Sequence, residues 1–252
     1  GNLEMYSGYL DIAGGKHLHY IFVGSETTPA TAPVVFWFNG GPGCSSMLGF
    51  AQEHGPFLMP DGQNTFQSTL NPHRWNQIAH MVYIESPAGV GYSYVDGTEI
   101  PEYTDESSAE DNYLAIVEFF KKFSDLKDND VYISGESYAG IYVPFLAHKI
   151  AVEKKDTNIK LKGFLVGNGV TDLKYDNNAL WAMGFWHNII DKNLEDKLVQ
   201  NHCFPKELSV YIVPTKEPSP ACSSLYQEFE TKMAEVNIKP HLWLIFRISE
   251  ET

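Results

Sequence analysis

Val131-Tyr132-Ile133-Ser134-Gly135-Glu136-Ser137-Tyr138-Ala139-Gly140 decides the fold. The first four residues form a short apolar run that reads as a buried strand, and Tyr142 to Ile150 beyond them reads as a helix. Between the two, a serine stands among small residues. A turn that passes directly from strand to helix has room only for small neighbours, and it pushes the central hydroxyl out over the sheet. Ser137 is therefore a candidate nucleophile, and acyl transfer is the candidate chemistry. The same six residues, Gly135 to Gly140, also suit a purely structural turn.

Outward from this stretch the pattern repeats. Val34 to Phe38 is continuously apolar, as in a strand buried on both faces, and it ends in Asn39-Gly40-Gly41-Pro42-Gly43. Met81 to Ile84 ends in Glu85-Ser86-Pro87-Ala88-Gly89, and Leu161 to Val166 ends in Gly167-Asn168-Gly169. Ser107 to Phe123 has helical periodicity. Strands alternating with helices predict an α/β fold with a mostly parallel sheet. Met5 to Ile12 and His17 to Val23, around Gly14-Gly15, predict a hairpin before it. The small-residue turns then share the carboxyl edge of the sheet, where α/β folds bind ligands. Glycine lets backbone approach closely, so Asn39-Gly40-Gly41 facing Ser137 could offer N–H groups to a developing oxyanion.

Composition narrows the function. A length of 252 residues suits one large α/β domain, and a formal net charge of −14 argues against nucleic acid as partner. No apolar run is long enough to span a bilayer. Gly1-Asn2-Leu3-Glu4 carries no signal-peptide pattern and reads as a processed or trimmed start. Cys44, Cys203 and Cys222 form no CxxC pair and lie near no suitably spaced histidines, so no zinc site is expected. No cofactor is expected either. Cys203 and Cys222 flank a Pro-rich stretch; a disulfide between them and three reduced thiols are both open readings. From Tyr175 to Val199 the pattern is helical and aromatic, a further helix is predicted over Ser223 to Val236, and residues 239–252 continue no pattern.

Four motifs together resemble the serine carboxypeptidases. They are Trp37 to Ser46, Glu85 to Tyr94, Gly135 to Pro144, and Gly167-Asn168-Gly169 with Asp172. Lys16 to Tyr20 and Glu53-His54-Gly55-Pro56-Phe57 look most like a lysosomal animal member. The resemblance implies an α/β-hydrolase fold, with residues 1–174 as the amino-terminal part of its core, 175–238 as a helical cap or insertion and 239–252 as a divergent tail. It also implies roles. Ser137 would attack the scissile carbonyl, with the Gly41 and Tyr138 N–H groups as oxyanion hole. Asn39, the Gly40 N–H, Glu53 and Glu136 would bind the terminal carboxylate of a peptide or protein substrate. Carboxylates this crowded must share a proton, so peptide binding is expected to favour acidic pH and a lysosomal, vacuolar or secreted setting. Read without the resemblance, Glu53 is a surface ion-pair residue, Asp172 a helix cap and Trp37 part of the core or of a pocket wall.

The family's later triad members, Asp and then His, find no match here. His148, His187, His202 and His241 follow Ser137, and none stands in the family's His motif. Cys44 would pair in the family with a later cysteine that this sequence lacks. Both observations fit an absent carboxyl-terminal half, either a second chain carrying Asp and His or a truncation. The chain by itself is then expected to be inactive for want of a base, with Leu161 to Val166 as an uncovered sheet edge. Acyl transfer or hydroxynitrile cleavage on the same scaffold, and non-catalytic recognition of peptides or proteins, are the alternative functions.

Overall fold

A computed structural model describes residues 3–57, 59, 69–97, 99–154, 158–172, 176, 183–203 and 219–235. The chain divides into two compact units, Gly1–Gly169 and Val170–Thr252.

The first unit is built on one sheet. Its strands are β1 (Met5–Ile12), β2 (Lys16–Val23), β3 (Val34–Phe38), β4 (His80–Ile84), β5 (Tyr94–Val95), β6 (Val131–Glu136) and β7 (Leu161–Gly167). The order across the sheet is β1-β2-β4-β3-β6-β7, with β5 paired to β2. β1 and β2 form the expected antiparallel hairpin, and β2 meets β4 antiparallel. From β4 onward every pairing is parallel, in the register Trp37↔Tyr83 and Phe38↔Gly135. Every residue of β3 and of β4 is buried. Their unbroken apolar runs follow from that, since a central parallel strand is covered on both faces.

Two helices cover the sheet. Helix α1 (Asp105–Lys122) starts at a capping box in which Thr104 Oγ1 accepts from the Ser107 N–H and the Ser107 side chain accepts from the Thr104 N–H. Its buried residues Ala115, Ile116 and Phe119 share a core with Phe22, Phe36 and Ile133. Helix α2 (Ala139–His148) follows the elbow and runs on as a π-helical turn, Lys149–Glu153. It starts three residues before the Tyr142 expected from sequence, because the elbow delivers the chain straight into helix. Strand β7 pairs with β6 and, among the described residues, closes the sheet on that side. Phe164 and Leu165 on it are exposed.

The second unit is helical in its described part, with α3 (Lys192–Gln200) and α4 (Pro220–Glu235). Asp191 caps α3 by accepting from the Leu194 N–H at 2.9 Å. A separate core holds Ile190, Leu194, Leu198, Phe229 and Met233. Cys203 and Cys222 form a disulfide within it, with Cα atoms 5.4 Å apart. That resolves the two readings of these cysteines in favour of the bridge. No helix of the described residues is long and apolar enough to cross a membrane. His241 and the tail 239–252 lie outside the described residues.

Candidate active site

The parallel register brings the ends of β3, β4 and β6 to one edge of the sheet. Ser137 follows β6 directly, with φ 63 in the left-handed region that L-residues rarely occupy. Its N–H donates to Gly167 O at 3.0 Å, and the Gly140 N–H donates to Ser137 O at 2.9 Å. These two bonds hold the turn while the serine stays partly exposed. A side chain at Gly135 would overlap Phe38 O and the Ala139 methyl. Small residues stand two positions to either side of the serine, at Gly135 and Ala139, because backbone and helix occupy the space there.

The strained turn has a testable consequence. Ser137→Ala and Ser137→Gly both lose the hydroxyl, but only glycine relieves the left-handed backbone, worth ~1–2 kcal/mol. Glycine gives back roughly 0.5–1 kcal/mol of this in chain entropy, so the glycine variant is expected to be the more stable by ~1 kcal/mol, read from denaturation midpoints. An alanine variant more stable than the glycine one would show that the turn carries no such strain.

Gly40 and Gly41 face this elbow. A Cβ on Gly40 would overlap the Tyr138 nitrogen and stand 2.7 Å from Glu136 O. The two backbones therefore touch, which brings the oxyanion candidates Gly41 and Tyr138 into one neighbourhood. Gly41 is buried with φ 111, and the Cys44 N–H donates to Gly40 O at 2.9 Å to close the loop. Tyr138 is anchored by its hydroxyl, which donates to Asp105 Oδ1 at 3.1 Å.

The expected carboxylate-binding residues gather beside this pair. Asn39 is buried, and its Oδ1 accepts from Trp37 Nε1 at 2.8 Å and from the Gly49 N–H at 3.0 Å. Those donors orient the amide so that Nδ2 donates to Glu136 Oε2 at 3.4 Å. Glu53 ends a π-helical segment, Gly49–Glu53, and its carboxyl lies near the Glu136 carboxyl and the Asn39 amide. The residue as a whole stays exposed, but loss of water around its inward-facing carboxyl, followed by the charge of Glu136, raises its pKa to about 7. One of the two carboxyls thus carries a proton under mildly acidic conditions.

Two neighbours were given no role in this site from sequence. Trp37, read as core or pocket wall, is buried and also supplies the donor that orients Asn39. His54 packs against the Trp37 and Trp75 rings, at 4.2 Å from each, and bonds Tyr83 Oη at 2.9 Å. Burial pulls its pKa down to about 4, so it is neutral and serves as a packing element. Its position next to Glu53 was the one available hint. Cys44 carries a free, half-buried thiol whose pKa is raised by burial and by Glu136. His148, on the helix after Ser137, faces Glu153 at 3.5 Å.

A serine carboxypeptidase family model matches residues 1–246. The lysosomal protective protein of Mus musculus is 45% identical over 203 residues, which cover 80% of this chain and 41% of that protein. Serine carboxypeptidase-like 21 of Arabidopsis thaliana is 44% identical over 204 residues, covering 78% of this chain and 41% of that protein. Among solved structures, a prohormone-processing carboxypeptidase of Saccharomyces cerevisiae superposes with TM-score 0.66 at 20% identity, covering 96% of this chain and 60% of that one. The last comparison supports an α/β-hydrolase fold. The chain spans about two fifths of the length of the curated relatives it matches.

Proposed function

The chain belongs to the serine carboxypeptidase family, and from that premise we propose that it is the serine-bearing portion of an enzyme that releases single residues from peptide C-termini at acidic pH. The observation that carries this reading is the Asn39–Glu53–Glu136 cluster beside Ser137. A hydrolase without interest in a free carboxylate has no use for two carboxyls that share a proton next to its nucleophile. In this reading protonated Glu53, Asn39 Nδ2 and the Gly40 N–H hold the terminal carboxylate. Ser137 Oγ then attacks the adjacent carbonyl, and the N–H groups of Gly41 and Tyr138 receive its oxygen. The same cluster favours peptidase over acyl transfer or hydroxynitrile cleavage.

Serine needs a base to attack at a useful rate, and we assign that base to a portion of the enzyme beyond this chain. Cys44 would be the covalent link to that portion. The shared proton fits an acidic lysosomal or vacuolar compartment, or secretion into one.

Labelling with a fluorophosphonate tests the reading. Native material is expected to take up one equivalent at Ser137 quickly and to lose peptidase activity in step. The 252-residue chain produced by itself is expected to react slower by several orders of magnitude. Native material that resists the reagent, or that labels elsewhere, would remove Ser137 as the nucleophile.

A further inference from the structure

Glu85 is the first residue after β4 and is 1% exposed. Nothing in the proposed chemistry uses it. Burial works to raise its pKa, but donors from His19, Ser45 and the Tyr92 N–H outweigh burial and hold it below the ordinary value. Glu85 is thus a buried anion with a full set of partners, and those partners come from three separate segments. His19 Nδ1 on β2 donates to Oε2 at 2.9 Å, as does the Tyr92 N–H from the loop after β4, also at 2.9 Å. Ser45 Oγ, from the loop after β3, donates to Oε1. Gly91, with φ 56, brings its backbone so close that a side chain there would overlap the carboxylate. The main chain of Glu85 joins in: its N–H donates to His19 O at 3.0 Å, and its carbonyl accepts from Ser93 Oγ at 2.6 Å.

The Ser45 link bears on the reaction. The loop carrying Gly40 and Gly41 leaves β3 at Asn39 and is fastened again at Ser45 and Ser46. Ser46 Oγ donates to Ile84 O at 2.5 Å and accepts from the Asn39 N–H at 3.2 Å, which fixes the near end. The far end hangs on Ser45, whose Oγ also accepts from the Met47 N–H at 3.1 Å. Ser45 and Ser46 thus tie the loop to two consecutive residues of one rigid strand end. With Ser45 released, the segment from Gly41 to Cys44 loses its fastening to Glu85 and is held at that end by Ser46. A displacement of about 1 Å at an oxyanion donor is enough to cost on the order of a hundredfold in rate.

We propose that Glu85 is a positioning residue for catalysis: through Ser45 it sets the place of the Gly40–Gly41 loop opposite Ser137. It touches no substrate, and of the groups assigned to the peptide carboxylate only the Gly40 N–H lies on the loop it places; Asn39 and Glu53 are held by other contacts. The kinetic consequence rests on the peptidase reading, while the structural one does not.

The test uses Ser45→Ala, which cuts the link while Glu85 keeps the two donors on Oε2, and Ser45→Thr, which restores the hydroxyl. In the complete enzyme Ser45→Ala is expected to lower kcat about tenfold with KM within twofold, and Ser45→Thr to recover most of the loss. Glu85→Gln added to Ser45→Ala is expected to cost no more than Glu85→Gln by itself. Hydrogen exchange gives a second readout that needs no turnover: the Cys44 N–H, bonded to Gly40 O, is expected to exchange about tenfold faster in Ser45→Ala. A kcat within twofold of wild type, a loss confined to KM, or unchanged Cys44 exchange would each overturn the inference. A wild-type enzyme without peptidase activity would instead remove the peptidase reading, and the exchange measurement would still decide the role of Glu85.

Discussion

Gly40→Ala is expected to lower kcat/KM of the complete enzyme by about 10²–10³-fold, the loss typical of one oxyanion donor. The added methyl would overlap the Tyr138 nitrogen and stand 2.7 Å from Glu136 O and 2.9 Å from Tyr138 Cα. All three are backbone atoms, so no side chain can swing away. Either the Gly40–Gly41 loop retreats or the elbow does, and each carries one of the two N–H groups assigned to the oxyanion. Overpacking of this kind also costs ~1–3 kcal/mol of stability. Steady-state kinetics of the folded variant, checked by its unfolding midpoint, separates the two effects. A variant that keeps kcat/KM within about tenfold while remaining folded would show that the loop is not the oxyanion site.

The second large effect is on pH. The Glu53 carboxyl has its pKa raised from 4.5 to about 7. Below that value the group is neutral and donates a hydrogen bond to an incoming carboxylate. Above it, Glu53 and Glu136 both repel the ligand. The Kd of a peptide with a free C-terminus is therefore expected to be flat at acidic pH and to rise about tenfold for each unit above 7. Glu53→Gln, which keeps the donor and cannot ionise, is expected to bind equally well at both ends of the range. A C-terminally amidated peptide should show no such rise. Calorimetric titration at pH 5.5 and 8.5 reads this directly, and an unchanged wild-type Kd would remove the shared proton from the mechanism. Folding follows the same sign. A carboxyl whose folded value exceeds its unfolded one contributes stability that is complete below 4.5 and lost as pH rises through about 7.

The sheet was legible in the sequence wherever burial leaves a local mark. Val34 to Phe38 and Met81 to Ile84 are apolar without interruption because both faces are covered, and the hairpin shows as alternation around Gly14-Gly15. Ser137 could be read because its turn admits only small neighbours. Other parts leave no such mark. Gly49–Glu53 is a five-residue π-helical segment, too short for any periodicity, so Glu53 could be placed only through its resemblance to a known motif. The bond from Trp37 to Asn39 joins side chains two residues apart, and it depends on a rotamer rather than on residue type. The convergence of His19, Ser45 and Tyr92 on Glu85 spans 74 positions between its outermost backbone partners, His19 and Ser93. No local pattern encodes a junction of that reach.

Strand β3 sits between β4 and β6, and its pairing with β6 joins Val34 to Val131. The two are separated by about a hundred residues, which the ribosome takes roughly 5–20 s to add at its usual speed. For that interval the run Val34-Val35-Phe36-Trp37-Phe38 has at most one of its two strand neighbours. The strand that presents Gly40 and Gly41 is thus made well before the strand that shelters its second edge.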